Sequence, residues 1–189
     1  MHERYGLVDH TKDLARRFAH DGYTCIAPDT FFCHPDQDAL HRGDDRYDLT
    51  DDEAVENLSA AMDALEANEG SDLSRCAVMG VCQTGRHPLI LATKRPIAAA
   101  LVWYGAASKR EWEVNDCQPR ALAEVIADLD CPVFGSFGEA DHIISLDDVR
   151  RFRNCLEDNL KSYSINLFRG APHGWLNDTM PGRYRKEQA

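Results

Sequence analysis

Residues 75–92 read RCAVMGVCQTGRHPLILA, an apolar run, a glycine-flanked turn and a second apolar run. The first run, 75–81, has the length and apolar content of a buried strand. The second run, roughly 84–93, is predicted to be an apolar helix. A strand that passes through a short turn directly into a helix is the repeating unit of α/β folds with a parallel sheet.

The rest of the chain repeats this alternation. Further strands are predicted at 23–27, 98–104, 132–137 and 163–169, and further helices at 9–21, 51–68, 119–128 and 147–160. The helix at 51–68 has the clearest period, because its apolar residues recur at spacings of three and four: Val55, Leu58, Met62 and Leu65. This order predicts one α/β domain over residues 1–189, with a mainly parallel sheet.

Composition narrows the possible functions. The 189 residues carry a formal net charge of −11, which disfavours binding to nucleic acid or to acidic membranes. The chain has no apolar run of about 20 residues and no signal-peptide core, so we expect a cytoplasmic protein. Seven cysteines without a C-x-x-C pair predict free thiols. Neither Cys33-His34 with His41 nor His10 with His20 has zinc-site spacing, so we expect no metal and no cofactor.

A candidate nucleophile lies in the turn at residues 80–85, GVCQTG. Cys82 stands between a predicted strand and a predicted helix, and the glycines on either side allow the sharp backbone turn of a nucleophile elbow. The helix N-terminus favours a thiolate there, and the backbone N–H of Gln83 would point at a developing oxyanion. Taken alone, the same pattern also fits a buried cysteine in an ordinary turn.

Two further candidates follow later strands. Asp141 lies in GEADH (138–142) and His173 in GAPHGW (170–175). Either residue alone could be a turn former or a surface residue. In the order nucleophile, acid, histidine, each after a successive strand, they match the chain order of α/β-hydrolase triads. We therefore predict a Cys82-Asp141-His173 triad that hydrolyses esters through a thioester.

Six segments together resemble a known family. They are MHERYGL (1–7), APD (27–29), GVCQTG (80–85), WYG (103–105), GEAD (138–141) and APHGW (171–175). They look like successive landmarks of the dienelactone hydrolase family, an α/β-hydrolase branch with a cysteine nucleophile. The resemblance implies a three-layer sandwich and a small ester or lactone as substrate. It also implies that His173 is the base, that Asp141 orients it, that Glu3 restrains the resting Cys82, and that the backbone N–H groups of Arg4 and Gln83 form the oxyanion hole.

The chain also departs from this family at its N-terminal end. The family's proteins have strands upstream of the His-Glu loop, whereas this chain starts at Met1-His2-Glu3, so we expect an N-terminally truncated sheet. Strands 23–27 and 75–81 then pair directly, or another chain (a second copy or a partner) supplies a strand, or residue 1 is not the natural start. Glu3 and Arg4 are expected on a fraying terminus.

The substrate side of the site is less defined. Dienelactone hydrolase itself holds its substrate's carboxylate with arginines, and Asn177 stands where one of them would be. Arg86 is an available cation, with a surface-helix arginine as the alternative. Tyr104 is a candidate to line the pocket, with aromatic core packing as the alternative, and Trp175 is a candidate substrate-binding residue. Two hypotheses remain open: a cysteine hydrolase of small esters or lactones, and an inactive relative kept as a binding or assembly subunit.

Overall fold

Four parallel strands form the sheet of this computed structural model, which describes all residues from 1 to 189. They are β1 (Ala77–Val81), β2 (Ala99–Trp103), β3 (Val133–Gly138) and β4 (Tyr163–Phe168). Their order in the sheet is their order along the chain, so β1 and β4 are the two edges. Each coincides with a predicted strand to within two residues.

Six α-helices connect and flank these strands. They are α1 (Asp9–His20), α2 (Gln37–Arg42), α3 (Asp51–Glu66), α4 (His87–Ala92), α5 (Leu122–Ala127) and α6 (Leu146–Asp158). Short 3₁₀ segments lie at Leu73–Arg75, Cys82–Arg86 and Lys109–Trp112. Capping boxes start α3 and α6, through Thr50 with Glu53 and through Ser145 with Asp148. Helix α2 lies outside the predicted helices.

The main core fills one face of the sheet. Register places Val78, Ala100 and Val133 in one row across β1, β2 and β3, and all three side chains are buried. Helices α3 to α6 add further members of this cluster, including Leu58, Leu89, Ile126 and Phe152. Apolar burial of this kind is the main stabilising contribution to the fold.

The opposite face is covered more thinly. A second cluster of five buried residues, including Val81, Tyr104 and Trp175, lies near the carboxyl ends of the strands, and Leu14 of α1 packs against it. Farther along the same face, Phe134 of β3 stays 43% exposed. Helical layers therefore flank a parallel sheet, as predicted, but the two layers are unequal in extent.

The predicted strand at 23–27 is wrong. Tyr23 is 64% exposed, and residues 23–27 have no strand partner. The amides of residues 24–27 make no hydrogen bond to another protein group. Because β1 pairs only with β2, direct pairing of this segment with β1 does not occur. A β-rich composition is not sufficient for a strand, since a strand also needs a neighbour.

Two negative expectations concern the whole chain. All seven cysteines are free thiols, and Cys25 is exposed. No helix has both the length and the apolar character needed to cross a membrane.

The unpaired segment gives a first testable prediction. In hydrogen–deuterium exchange, the amides of residues 24–27 should exchange near the rate of an unstructured peptide, because nothing in the fold protects them. The amides of β2, which lies between two strands, serve as the protected control. Slow exchange at 24–27 would contradict this and would show that the segment pairs with another strand in solution.

Candidate active site

Cys82 stands at a strained turn directly after β1. Its φ of 55° is left-handed, which is uncommon for a residue other than glycine. A Cβ on Gly80 would lie 2.4 Å from the carbonyl oxygen of Thr84, and one on Gly85 would lie 2.6 Å from Cα of Gly105. No side chain fits at either position. These contacts explain the glycines on both sides of the cysteine and give the turn the form of a nucleophile elbow.

The three predicted triad residues meet at the carboxyl edge of the sheet. His173 Nε2 lies 3.1 Å from Cys82 Sγ, and His173 Nδ1 lies 2.8 Å from Asp141 Oδ2. The other carboxylate oxygen of Asp141 accepts hydrogen bonds from the amides of Ile143 (2.7 Å) and Ile144 (3.0 Å). Asp141 is therefore fixed on one side and leaves its second oxygen for the histidine.

These contacts change the pKa values of both His173 and Asp141. Burial by itself would lower the pKa of His173, but its hydrogen bonds to Asp141 and Cys82 outweigh burial and raise that pKa to about 10. Burial would likewise raise the pKa of Asp141, yet the hydrogen bond with His173 and the two amides lower it overall. At neutral pH the pair is therefore an imidazolium and a carboxylate, with Nδ1–H donating to Asp141.

The ring of Tyr104 packs against the rings of both His173 and Trp175. The ring centroid of Tyr104 lies 5.2 Å from that of His173 and 5.8 Å from that of Trp175, both edge-on. Both aromatic side chains are fully buried, so neither lines an open pocket. For Tyr104 the structure supports the alternative of aromatic core packing, and the same burial makes Trp175 a core residue.

The segment that carries Glu3 is buried and hydrogen-bonded, and the expectation of a fraying terminus is wrong. Thr84 Oγ1 donates to the carbonyl oxygen of His2 at 2.7 Å, which joins this segment to the turn after Cys82. The ring of His2 in turn bonds the amide and hydroxyl of Thr30, at 3.1 and 2.9 Å. Glu3 is only 4% exposed.

Glu3 contacts residues other than the cysteine. Its Oε1 accepts from the Tyr104 hydroxyl at 3.2 Å and its Oε2 from Asn177 Nδ2 at 2.5 Å, while the side-chain partner of the Cys82 sulfur is His173. The sequence singles out Asn177 only because dienelactone hydrolase has a substrate-binding arginine at that position. Its contact with Glu3, 174 positions away along the chain, has no sequence signal.

The two predicted oxyanion-hole residues are Arg4, which follows Glu3, and Gln83, which follows Cys82. The backbone N–H of Arg4 makes no hydrogen bond to another protein group, while its side chain turns away to the carbonyl of Gly43 at 2.9 Å. Gln83 directly follows Cys82, and its side-chain amide donates to the carbonyl of Tyr47 at 2.6 Å. Both side chains are thus used for structure, and only the main-chain N–H groups remain candidates for an oxyanion.

Comparison with known proteins agrees with this geometry. The family model "dienelactone hydrolase family" matches residues 1–189. The chain belongs to this family.

Three relatives show the extent of the likeness. A protein of Methylorubrum extorquens, provisionally named carboxymethylenebutenolidase, is 27% identical over all of this chain and 66% of its own length. A crystal structure of a provisionally named dienelactone hydrolase from Klebsiella pneumoniae has a TM-score of 0.83 and 28% identity, over 99% of this chain and 78% of that one. A Bradyrhizobium protein named as a probable 2-oxo-3-(5-oxofuran-2-ylidene)propanoate lactonase is 24% identical over 90% of this chain and 69% of its own. The chain thus spans about two thirds of the length of these curated relatives.

A polar cleft of about 370 Å³ adjoins the histidine side of the site. Its lining residues are Ser108, Lys109, Arg110, His142, Ile143, Ser145 and Asp148. His142 links the cleft to the predicted triad, because it follows Asp141 and its ring centroid lies 6.1 Å from that of His173. The cleft has two permanent cations at its rim.

Arg86 is neither a substrate cation nor a surface residue, so both predictions for it are wrong. It is 3% exposed and forms a two-pronged ion pair with Asp51 at the start of α3, at 2.8 and 2.9 Å. Its remaining N–H groups reach the carbonyl oxygens of Arg120 (2.6 Å) and Glu111 (3.4 Å). The ion pair of Arg86 with Asp51 therefore links the segment after Cys82 to the start of α3.

Breaking this ion pair gives a stability prediction. Arg86→Met should lower the free energy of unfolding by about 3–5 kcal/mol, because Asp51 would stay buried without its counterion. Arg150→Met is the matched control: its partner Asp147 is 89% exposed, and its loss should cost less than about 1 kcal/mol. Urea denaturation measures both. Equal, small losses would show that the Arg86 pair does not hold the fold.

Proposed function

We propose that the chain hydrolyses small carboxylic esters or lactones, with Cys82 as nucleophile, His173 as general base and Asp141 as the residue that orients the histidine. The observation that carries the proposal is the unbroken contact from sulfur to imidazole to carboxylate, at 3.1 and 2.8 Å. A protonated histidine beside a cysteine is the arrangement that activates cysteine nucleophiles in enzymes.

The reaction would proceed in two halves. The proton of the Cys82 thiol already lies on His173 Nε2 in the resting pair, and the thiolate attacks the carbonyl carbon, whose oxygen becomes an oxyanion. The C–O bond to the alcohol then breaks, His173 returns the proton to the leaving alkoxide, and a thioester remains. Next, His173 takes a proton from water, the resulting hydroxide attacks the thioester, and the C–S bond breaks. The acid leaves, and the thiolate is again paired with the protonated His173.

The oxyanion would be held by main-chain donors. The N–H of Arg4 has no acceptor within the protein, and the N–H of Gln83 follows the nucleophile, the usual donor position in a nucleophile elbow. Donors that are already fixed in place stabilise the developing charge without reorganising at the moment of reaction.

The relatives support a carboxylic ester or lactone as the substrate class. The Methylorubrum and Bradyrhizobium proteins are named for the hydrolysis of lactones. Lys109 and Arg110 line the cleft beside His173, where they could bind an anionic group of the substrate. We therefore propose that esters or lactones carrying a carboxylate are preferred over neutral ones.

Loss of the nucleophile is the first test. Cys82→Ala should lower kcat/KM for 4-nitrophenyl acetate by at least about 10⁴-fold, because no other group can form the thioester. Cys155→Ala is the matched control, since that thiol is half-buried in α6, outside the site. Mass spectrometry of acid-quenched wild-type protein should show an acyl group on Cys82.

Two outcomes would contradict the assignment in different ways. Hydrolysis retained in Cys82→Ala would exclude this cysteine as nucleophile. A folded wild-type protein that turns over no ester or lactone in a broad panel would instead favour the inactive binding subunit.

A second test concerns the cleft. The double change Lys109→Ala with Arg110→Ala should raise KM about two- to fivefold for mono(4-nitrophenyl) succinate, because exposed charge pairs contribute roughly 0.2–1 kcal/mol each. KM for neutral 4-nitrophenyl acetate should stay unchanged and is the matched control. An equal change for both esters would show that the two cations do not recognise a carboxylate.

A further inference from the structure

The turn after Cys82 departs from the usual sequence of a nucleophile elbow. That motif, G-x-S-x-G, has a glycine two positions after the nucleophile, whereas Thr84 stands there in this chain and the glycine follows one position later, at Gly85. Thr84 is fully buried. Because a buried hydroxyl is costly unless it is hydrogen-bonded, its partners show what the threonine does in the turn.

The hydroxyl of Thr84 joins two segments that are distant along the chain. It accepts from the backbone N–H of Val81, the last residue of β1, at 3.1 Å and donates to the carbonyl oxygen of His2 at 2.7 Å. The carbonyl oxygen of Val81 is also 3.1 Å away, but a hydroxyl has only one proton to donate, and the carbonyl of His2 is the nearer acceptor. No other hydrogen bond joins residues 1–5 to residues 82–86.

This contact connects the two segments that carry the predicted oxyanion donors. The N–H of Gln83 belongs to the residue before Thr84, and the N–H of Arg4 belongs to the second residue after His2. Standard backbone dimensions keep the Arg4 nitrogen within about 6 Å of the His2 carbonyl oxygen. The hydroxyl of Thr84 is therefore the direct hydrogen-bonded link between the segment of one donor and the segment of the other.

Each of these segments also has an anchor that does not involve Thr84. The side-chain amide of Gln83 donates to the carbonyl of Tyr47 at 2.6 Å, and the ring of His2 hydrogen-bonds the hydroxyl and amide of Thr30 at 2.9 and 3.1 Å. Loss of the Thr84 hydroxyl should therefore leave both segments folded and change the spacing between them. An oxyanion hole is sensitive to that spacing, because its donors must lie about 2.7–3.1 Å from the oxyanion.

We propose that Thr84 is a positioning residue of the oxyanion hole, whose hydroxyl holds the N–H of Arg4 at the spacing from the N–H of Gln83 that the oxyanion requires. This inference rests on the proposed function of Cys82. Thr84 acts through the two main-chain donors, so it should affect the steps in which the oxyanion forms. Substrate binding and the reactivity of the sulfur itself should not depend on it.

The test compares two reactions of the same sulfur. Hydrolysis of 4-nitrophenyl acetate passes through an oxyanion both when the thioester forms and when water cleaves it. Alkylation by iodoacetamide displaces iodide from a saturated carbon and forms no oxyanion. The alkylated Cys82 peptide is quantified by mass spectrometry, because all seven cysteines are free.

Thr84→Val removes the hydroxyl and keeps the shape of the side chain. It should lower kcat for 4-nitrophenyl acetate about 10- to 100-fold, which is less than the loss of a complete oxyanion donor. KM should change by less than about twofold, because the lost interaction is made only in the transition state. The rate of Cys82 alkylation should stay at the wild-type value.

Two further variants are the controls. Thr84→Ser keeps the hydroxyl and should retain the wild-type kcat. Thr93→Val removes a hydroxyl that donates to the carbonyl of Ile90 at 2.8 Å, at the end of α4, and should leave both reactions unchanged. Urea denaturation checks that each variant is folded under the assay conditions. If Thr84→Val does not fold, Thr84→Ala removes the same hydroxyl and carries the same expectation.

Three results would overturn the proposal. An unchanged kcat in Thr84→Val would show that the oxyanion hole does not depend on the hydroxyl. Equal losses of ester hydrolysis and alkylation would show that the sulfur itself has moved. A kcat in Thr84→Ser as low as that in Thr84→Val would show that the methyl group, and not the hydroxyl, is what matters.

Cys82→Ala separates this inference from the proposed function. Hydrolysis retained in Cys82→Ala would sink the proposed function, and the role of Thr84 with it. Hydrolysis lost in Cys82→Ala but unchanged in Thr84→Val would sink only the role assigned to Thr84.

Discussion

At Cys82 the chain leaves β1 in a left-handed conformation, and glycines pack so closely around the turn that a Cβ at Gly80 or Gly85 would meet other main-chain atoms at 2.4 to 2.6 Å. The turn fixes where the sulfur lies relative to the carboxyl edge of the sheet. It also brings Thr84 to the carbonyl of His2, which joins the segment that carries Glu3 and Arg4 to the turn. The strain is maintained because the surrounding packing leaves no alternative path for the backbone.

Around this turn, buried polar groups are arranged in two hydrogen-bonded systems. One runs from Asp141 through His173 to the sulfur, and the other joins Glu3 to Tyr104 and Asn177. The ring of Tyr104 lies against that of His173, so the two systems touch. Buried polar groups are costly when unpaired, so each member of these systems constrains the others. Loss of a hydrogen-bonding group in one system should therefore disturb the geometry of the other.

Arg86 and the segment 23–27 show why sequence reasoning failed where it did. An arginine just past the turn has the same local sequence whether it faces water or a buried carboxylate, and only its partner Asp51, 35 positions away, decides the matter. The residues YTCIA at 23–27 have the composition of a strand, but a strand also requires a neighbouring one, and β1 has none on that side. Both errors concern long-range partners, which local pattern does not record.

The sequence by itself determined the alternation of strands and helices, the turn at Cys82 and the order of Cys82, Asp141 and His173 after successive strands, because apolar periodicity and glycine placement are local properties. Only the tertiary structure decided which buried groups meet. It paired Glu3 with Asn177 in a hydrogen bond and Arg86 with Asp51 in a buried ion pair, and it packed the ring of Tyr104 against that of His173. These contacts join residues between 35 and 174 positions apart, and they form only when the sheet has brought its strand ends together.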